Sequence, residues 1–219
     1  MTRPAHGYIR PMAGTTTTSA ERLRVVADEA GGCTRCDLHE RATQTVFGEG
    51  APDAALFLIG EQPGDQEDRQ GHPFVGPAGR VLDEALEAAG VDRSNVYITN
   101  AVKHFKWTAR GKRRIHERPN RTEIVACRPW FDAELAIVSP RLVVVMGATA
   151  GQALWGPSFR VGASRGTERD FDGRAALATI HPSAVLRAGG DAGRRAQMDL
   201  LVEDLALAGR LVARMPGGA

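Results

Sequence analysis

Cysteine is scarce in this chain, and its count is odd: Cys33, Cys36 and Cys127 are the only three in 219 residues. That excludes the disulfide framework of a small secreted domain and sets the expectation of a reducing, cytoplasmic setting. Long apolar runs are missing too. None approaches the length of a membrane span, so no membrane partner is expected. The first residues carry no apolar h-region, so no signal peptide is expected. No internal repeat is visible. Apolar residues make up 42% of the chain, ordinary for a globular protein with a full core.

Positive charge is present but unevenly placed. The formal net charge is only +2. Between Lys103 and Arg128, nine Lys and Arg face only Glu117 and Glu123, a net of +7, which leaves −5 for everything else. The densest part is Gly111-Lys112-Arg113-Arg114-Ile115-His116. A glycine opens it, and Pro119 and Asn120 follow, so a loop is predicted rather than a helix. Such a patch suits a polyanion. A solvated Arg-rich loop would look the same on charge alone.

Around this segment, apolar runs alternate with helical patterns. Ala54–Gly60, Asn95–Asn100, Arg141–Gly147 and Ala175–Ile180 read as four buried strands. Helices are predicted from a Ser19 cap to Ala30, and over Gly76–Ala89, Arg121–Val138, Ala148–Trp155 and Asp191–Val212. Residues 1–18 and 213–219 read as loose tails around one domain spanning 19–212. The alternation implies an α/β fold, a three-layer α/β/α sandwich on a central four-stranded, mainly parallel sheet. Ligands of such sheets sit beyond the carboxyl ends of the strands. That rule gathers Gly60 to Asp65, Asn100, Gly147 and His181 on one edge and puts the basic loop beside them.

Several of these residues carry chemistry. Cys33-Thr34-Arg35-Cys36 is a CxxC pair, and adding Cys127 points to a metal or cluster site, since thiolates are cluster ligands. A fourth ligand is then wanting, with His39 and His104 as candidates; buried, inert thiols are the alternative. Glu61 follows a buried strand, where a carboxylate can act as a base or stabilise a cation, or simply cap a turn. Phe74 offers a face for a base to stack on, or a core side chain. Asn100 carries both a donor and an acceptor and so can read an amide-like edge, or simply cap a turn. His181 could donate to a developing anion, or play the structural role that lone histidines usually have.

Taken together, these residues resemble the uracil-DNA glycosylase superfamily, and within it the iron–sulfur branch of family 4 and its UdgX relatives. The likeness runs from Cys33 to Arg187. Gly60-Glu61-Gln62-Pro63-Gly64 looks like the first family motif, and His181-Pro182-Ser183-Ala184-Val185-Leu186-Arg187 like the second. Gly71-His72-Pro73-Phe74-Val75-Gly76-Pro77-Ala78-Gly79 and Tyr97-Ile98-Thr99-Asn100 are similar to the segments that stack on uracil and read its edge. Three departures matter. Gln62 stands where family 4 has Ala. His104 stands where it has a cluster Cys. The insertion Lys112-Arg113-Arg114-Ile115-His116 is absent from family 4 and resembles UdgX.

The resemblance implies that the protein excises uracil from DNA, preferably single-stranded, and then bonds covalently to the abasic sugar through His116. Glu61, His181 and His116 would be catalytic. Gln62, Gly64, Asp65, Phe74, Asn100 and His181 would contact uracil. Lys112, Arg113, Arg114, Ser183 and Arg187 would contact DNA. A 4Fe-4S cluster would rest on Cys33, Cys36, His104 and Cys127, with His39 as runner-up to His104. The partners would be uracil-containing DNA and the product uracil, and the protein would be a monomer. The alternatives are a multiple-turnover family 4 enzyme in which His116 only contacts DNA, and a non-catalytic DNA-binding module of the same fold.

Overall fold

The computed structural model of the protein describes residues 17–215. Of the tails expected at 1–18 and 213–219, residues 1–16 and 216–219 lie outside the described residues. At the inner margins the structure corrects them. Thr18, not Ser19, caps the first helix, its hydroxyl and the Glu21 side chain closing a capping box. The last helix runs on to Arg214.

The centre is a sheet with β2 (Leu56–Gly60), β3 (Val96–Asn100), β6 (Leu142–Met146) and β8 (Arg174–Thr179) parallel, in the order β3-β2-β6-β8. The first three are buried along their whole length, as the apolar runs of β2 and β6 demand, while β3 ends in buried Thr99 and Asn100. Two antiparallel edge strands extend the expected four-stranded sheet to six: β1 (Glu49–Gly50) on β3 and β7 (Glu168–Phe171) on β8. Both are short and mostly exposed, so neither has an apolar pattern to read.

Successive residues of each strand serve opposite faces. Leu56, Leu58, Val144 and Met146 pack beneath α3 (Pro77–Ala88) and α8 (Gly190–Arg214). Phe57, Ile59, Val143 and Val145 pack against α1 (Ser19–Gly31), α4 (Arg121–Val138) and α5 (Ala148–Trp155). Phe57 stacks on Tyr97 at 5.1 Å and meets Phe131 of α4 edge-on at 6.0 Å. The result is the three-layer sandwich. No described helix is long and apolar enough to cross a membrane.

The basic segment is not an irregular loop. Trp107–Arg110 (β4) and Arg113–His116 (β5) pair antiparallel as a separate two-stranded ribbon. Gly111, at φ 61°, makes its turn. Three short helices also escaped the sequence pattern: α2 (Asp65–Gln70), α6 (Val161–Ser164) and α7 (Ser183–Arg187).

Candidate active site

Beyond the carboxyl ends of the parallel strands lies a cleft of about 800 Å³. Glu61 follows β2, Asn100 ends β3, Gly147 follows β6, and His181 follows β8. His116, at the end of β5, reaches the same cleft. Gly64, Asp65, Phe74, Ser183 and Arg187 also line it.

Asn100 is 2% exposed, and its Oδ1 has no hydrogen-bond partner among the described residues. A buried acceptor left unpaired is costly, and an orphan facing a cleft marks a place where a ligand donates. Gly60 keeps the space beside it open. A Cβ there would come within 2.4 Å of Asn100 Oδ1 and 2.7 Å of the Phe74 ring. Phe74 itself sits at φ 57°, an unfavourable backbone conformation for a bulky side chain. It is held there by its surroundings. Gly79 lets α3 approach so closely that a Cβ would lie 1.6 Å from the Phe74 carbonyl oxygen. Buried Glu67 of α2 accepts hydrogen bonds from the backbone N–H of Gly64 (3.1 Å) and of Gly76 (2.7 Å) and so ties together the loops on either side. Sequence reasoning missed Glu67. Its one signal was the three-residue spacing from Gly64, that of a capping box.

His181 stands 6.0 Å from Phe74, ring to ring. Its Nδ1 accepts from the Ser183 backbone N–H at 3.2 Å and pairs with the Ser183 hydroxyl at 2.7 Å. Arg187 donates to that hydroxyl at 2.7 Å. A backbone N–H can only donate, so Nδ1 is unprotonated and the ring proton sits on Nε2. Burial, with the charges of Arg187 and His116, holds the His181 pKa down at about 4. The neutral ring is therefore a fixed donor.

The hairpin is bolted over this cleft by side chains that the sequence cast in other roles. Gln62, expected among the uracil contacts, lines the cleft, but its amide is committed to the hairpin base. It donates to the Lys106 and Glu117 carbonyls at 3.2 and 2.9 Å and accepts from the Lys106 N–H at 3.1 Å. Arg114, expected on DNA, turns inward and pairs with Asp65 and buried Asp68 of α2. Burial pushes the Asp65 carboxyl up, but the Arg69 and Arg114 hydrogen bonds outweigh it and hold its pKa below the ordinary value. Asp65, expected on uracil, is thus half of a latch. Trp107, directly across from His116 in the hairpin, lies between Arg41 (4.5 Å) and Arg114 (5.5 Å), and its Nε1 donates to the Arg41 carbonyl at 3.0 Å. The outcome is that His116 Nε2 stands 3.7 Å from Glu61 Oε1. Lys112 and Arg113 remain exposed at the hairpin tip.

The family model of the Uracil DNA glycosylase superfamily matches residues 47–206, which include every cleft residue named above. The chain belongs to this superfamily. It is 36% identical over 172 residues to the type-4 uracil-DNA glycosylase of Thermotoga maritima, covering 78% of this chain and 86% of the relative. It is 37% identical over 163 residues to the type-4 uracil-DNA glycosylase of Pyrobaculum aerophilum, covering 71% and 80%.

Cys33 and Cys36 precede the matched part of the superfamily domain. In the fold both lie near enough to Cys127 for their charges to act on its thiol. Cys36 and Cys127 share a small cluster with Leu38, Val102 and Trp130, whose Nε1 lies 3.1 Å from Cys33 Sγ. The Lys103 N–H points at Cys127 Sγ at 3.3 Å. Burial pushes the Cys127 thiol up to about 11, outweighing the N–H and charge of Lys103 that lower it, and burial raises Cys36 as well. His104 is 3% exposed. Its Nε2 meets the Thr45 hydroxyl at 2.9 Å, while Nδ1 is buried with no partner among the described residues. His39 has Nδ1 engaged with the Cys36 carbonyl at 2.8 Å. Among the described residues no group of three such side chains is close enough to grip a single ion. A multi-iron cluster spaces its ligands further apart, and three thiols with an orphaned imidazole nitrogen fit that donor set.

Proposed function

We propose that this protein excises uracil from single-stranded DNA and then captures the abasic sugar through His116. The observation that carries the reading is the sharing of one cleft by the orphaned Asn100 Oδ1, the fixed His181 Nε2–H, and His116 facing Glu61. Uracil must leave the stack to enter, which costs a few kcal/mol in a duplex and less in a single strand. Its face would lie on Phe74, and its N3–H would donate to Asn100 Oδ1. Cytosine has an acceptor at that position and leaves the orphan unpaired. As the C1′–N1 bond breaks, the electron pair goes to uracil, and the His181 Nε2–H stabilises the anion. Glu61 stabilises the cationic sugar. The His116 Nε2 lone pair then bonds to C1′, and the resulting imidazolium sheds its Nδ1 proton to solvent. Tethering gives the imidazole a large advantage over water. Lys112, Arg113, Ser183 and Arg187 would hold the flanking phosphates.

A 4Fe-4S cluster on Cys33, Cys36, Cys127 and His104 completes the proposal. It would supply a covalent tie between the segment after α1, the turn after β3, and α4; no step of the excision calls on it. Iron content and visible absorbance of the purified protein test it, and an iron-free, colourless, folded protein would overturn it. We further assign a monomer working on DNA in the cytoplasm.

The deciding experiment is a denaturing gel of protein mixed with uracil-containing single-stranded DNA. Wild type should give a slow-migrating adduct. His116→Ala should give none, while still releasing uracil. Cross-linking that survives in His116→Ala would remove this histidine as nucleophile. A second reading, ordinary multiple turnover with His116 on DNA, is favoured by the relatives' designation as type-4 uracil-DNA glycosylases. More than one abasic product per protein molecule would establish it instead.

A further inference from the structure

The hairpin register divides its side chains between two faces. Trp107, Ala109, Arg114 and His116 share the face turned to the cleft, and Thr108, Arg110, Arg113 and Ile115 share the other. The inner cation is neutralised, since Arg114 pairs with Asp65 and Asp68. The outer cations are not. Arg110 and Arg113 stand directly opposite each other, with Lys112 at the turn between them. All three are exposed, and none makes an ion pair among the described residues. Like charges facing each other across a strand pair are destabilising. An anion laid along that face removes the penalty. Beside them Ile115 is 38% exposed, a large aliphatic side chain left in water.

We infer that this outward face is the track for the single DNA strand that carries the flipped nucleotide. The inference rests on the reading just given and specifies its DNA contacts. Arg110 and Arg113 take phosphates. Ile115 covers an unstacked base, a surface that a single strand offers and a stacked duplex hides. Arg114 takes no part, although it is the most central arginine of the basic run.

The test uses a uracil-free single-stranded oligonucleotide, so that binding is read without any excision or capture. Each phosphate neutralised contributes a slope of roughly 0.7 to the fall of log affinity with log salt. The double variant Arg110→Ala/Arg113→Ala should therefore flatten the slope by about 1.4, so that the affinity lost between about 50 and 200 mM salt shrinks by about sevenfold. Arg110→Lys/Arg113→Lys should keep the wild-type slope, which excludes a folding defect as the cause. Arg114→Ala removes one charge from the inner face and should move the slope by less than about 0.3. Ile115→Ser should weaken single-strand binding several-fold at unchanged slope. An unchanged slope in the double alanine variant, or a full one-phosphate loss in Arg114→Ala, would overturn the sided track. A protein that forms no adduct on uracil-DNA would sink the proposed function and leave this result standing.

Discussion

The ring of His181 can hold only one arrangement of protons while Ser183 donates to its Nδ1. That constraint has a measurable consequence. Burial first, then Arg187 and His116, depress its pKa from the ordinary 6.5 to about 4. Between those values the unfolded chain binds a proton that the folded one refuses, so stability falls as pH is lowered through the window. Above 6.5 the group adds no slope. The stability gap between wild type and His181→Gln, from urea unfolding, should be flat above about pH 6.5 and move against wild type by roughly 1–3 kcal/mol at pH 4. A gap that ignores pH would mean the ring is not held neutral. His181, Asn100 and Glu61 were legible in sequence because strand ends in a parallel sheet are where ligands gather. Gln62 and Arg114 were placed in the right region, but their pairing inside the protein, with the hairpin base and with Asp65 and Asp68, was not foreseen. Sequence shows a charge or an amide, not which way the backbone turns it, and only the hairpin register sends Arg114 inward.

That register belongs to the next scale. The hairpin was unreadable as strand because only two large apolar residues, Trp107 and Ile115, stand among its arginines, too few for a period to show. The edge strand β7 was missed despite a usable cue: Asp172-Gly173, both at positive φ, form the two-residue turn that joins it to β8. The eighteen-residue α4 and the short α5 both begin and end where the sequence puts them, α4 capped by Asn120 and α5 stopped at Gly156. As an element the hairpin is anchored at three places: Gln62 at its base, Arg114 in the middle, and Trp107 against Arg41. Trp107 faces His116 across the strands and is not among the residues lining the cleft, so on the proposed function its loss should separate the two chemical steps. Trp107→Ala should lower the ratio of adduct to released abasic product about fivefold, the equivalent of roughly 1 kcal/mol in cation–π contact. Uracil release, followed separately, should change less. Equal losses in both steps would make Trp107 a general support rather than an aligner of His116.

At the scale of the molecule, one buried ion pair joins the parts. Lys103 and Glu134 are both fully buried. Glu134, on α4, accepts from the Gly48 N–H next to β1, from Thr99 and Tyr97 of β3, and from Lys103. Lys103 in turn donates to the Asn100 carbonyl at 2.9 Å, and its backbone N–H meets Cys127. The strand end that carries Asn100, the cysteine lobe and the outer helix layer therefore share one polar knot. Removing one charge strands the other in an apolar interior, which costs about 3–5 kcal/mol, whereas removing both with apolar side chains is often near neutral. Glu134→Gln should lower the melting temperature by roughly 6–20 °C for a domain of this size. Lys103→Met/Glu134→Gln, which removes the stranded ammonium and keeps an acceptor for Gly48, Thr99 and Tyr97, should recover most of that loss. Stability and function should then part company, because the double variant still lacks the ammonium that steadies the Asn100 carbonyl. Uracil release by the recovered protein should stay several-fold below wild type, with discrimination against cytosine weakened. A double variant as unstable as Glu134→Gln would show the knot to be held by its packing rather than its charges. One restored in both stability and excision would remove Lys103 from the positioning of Asn100.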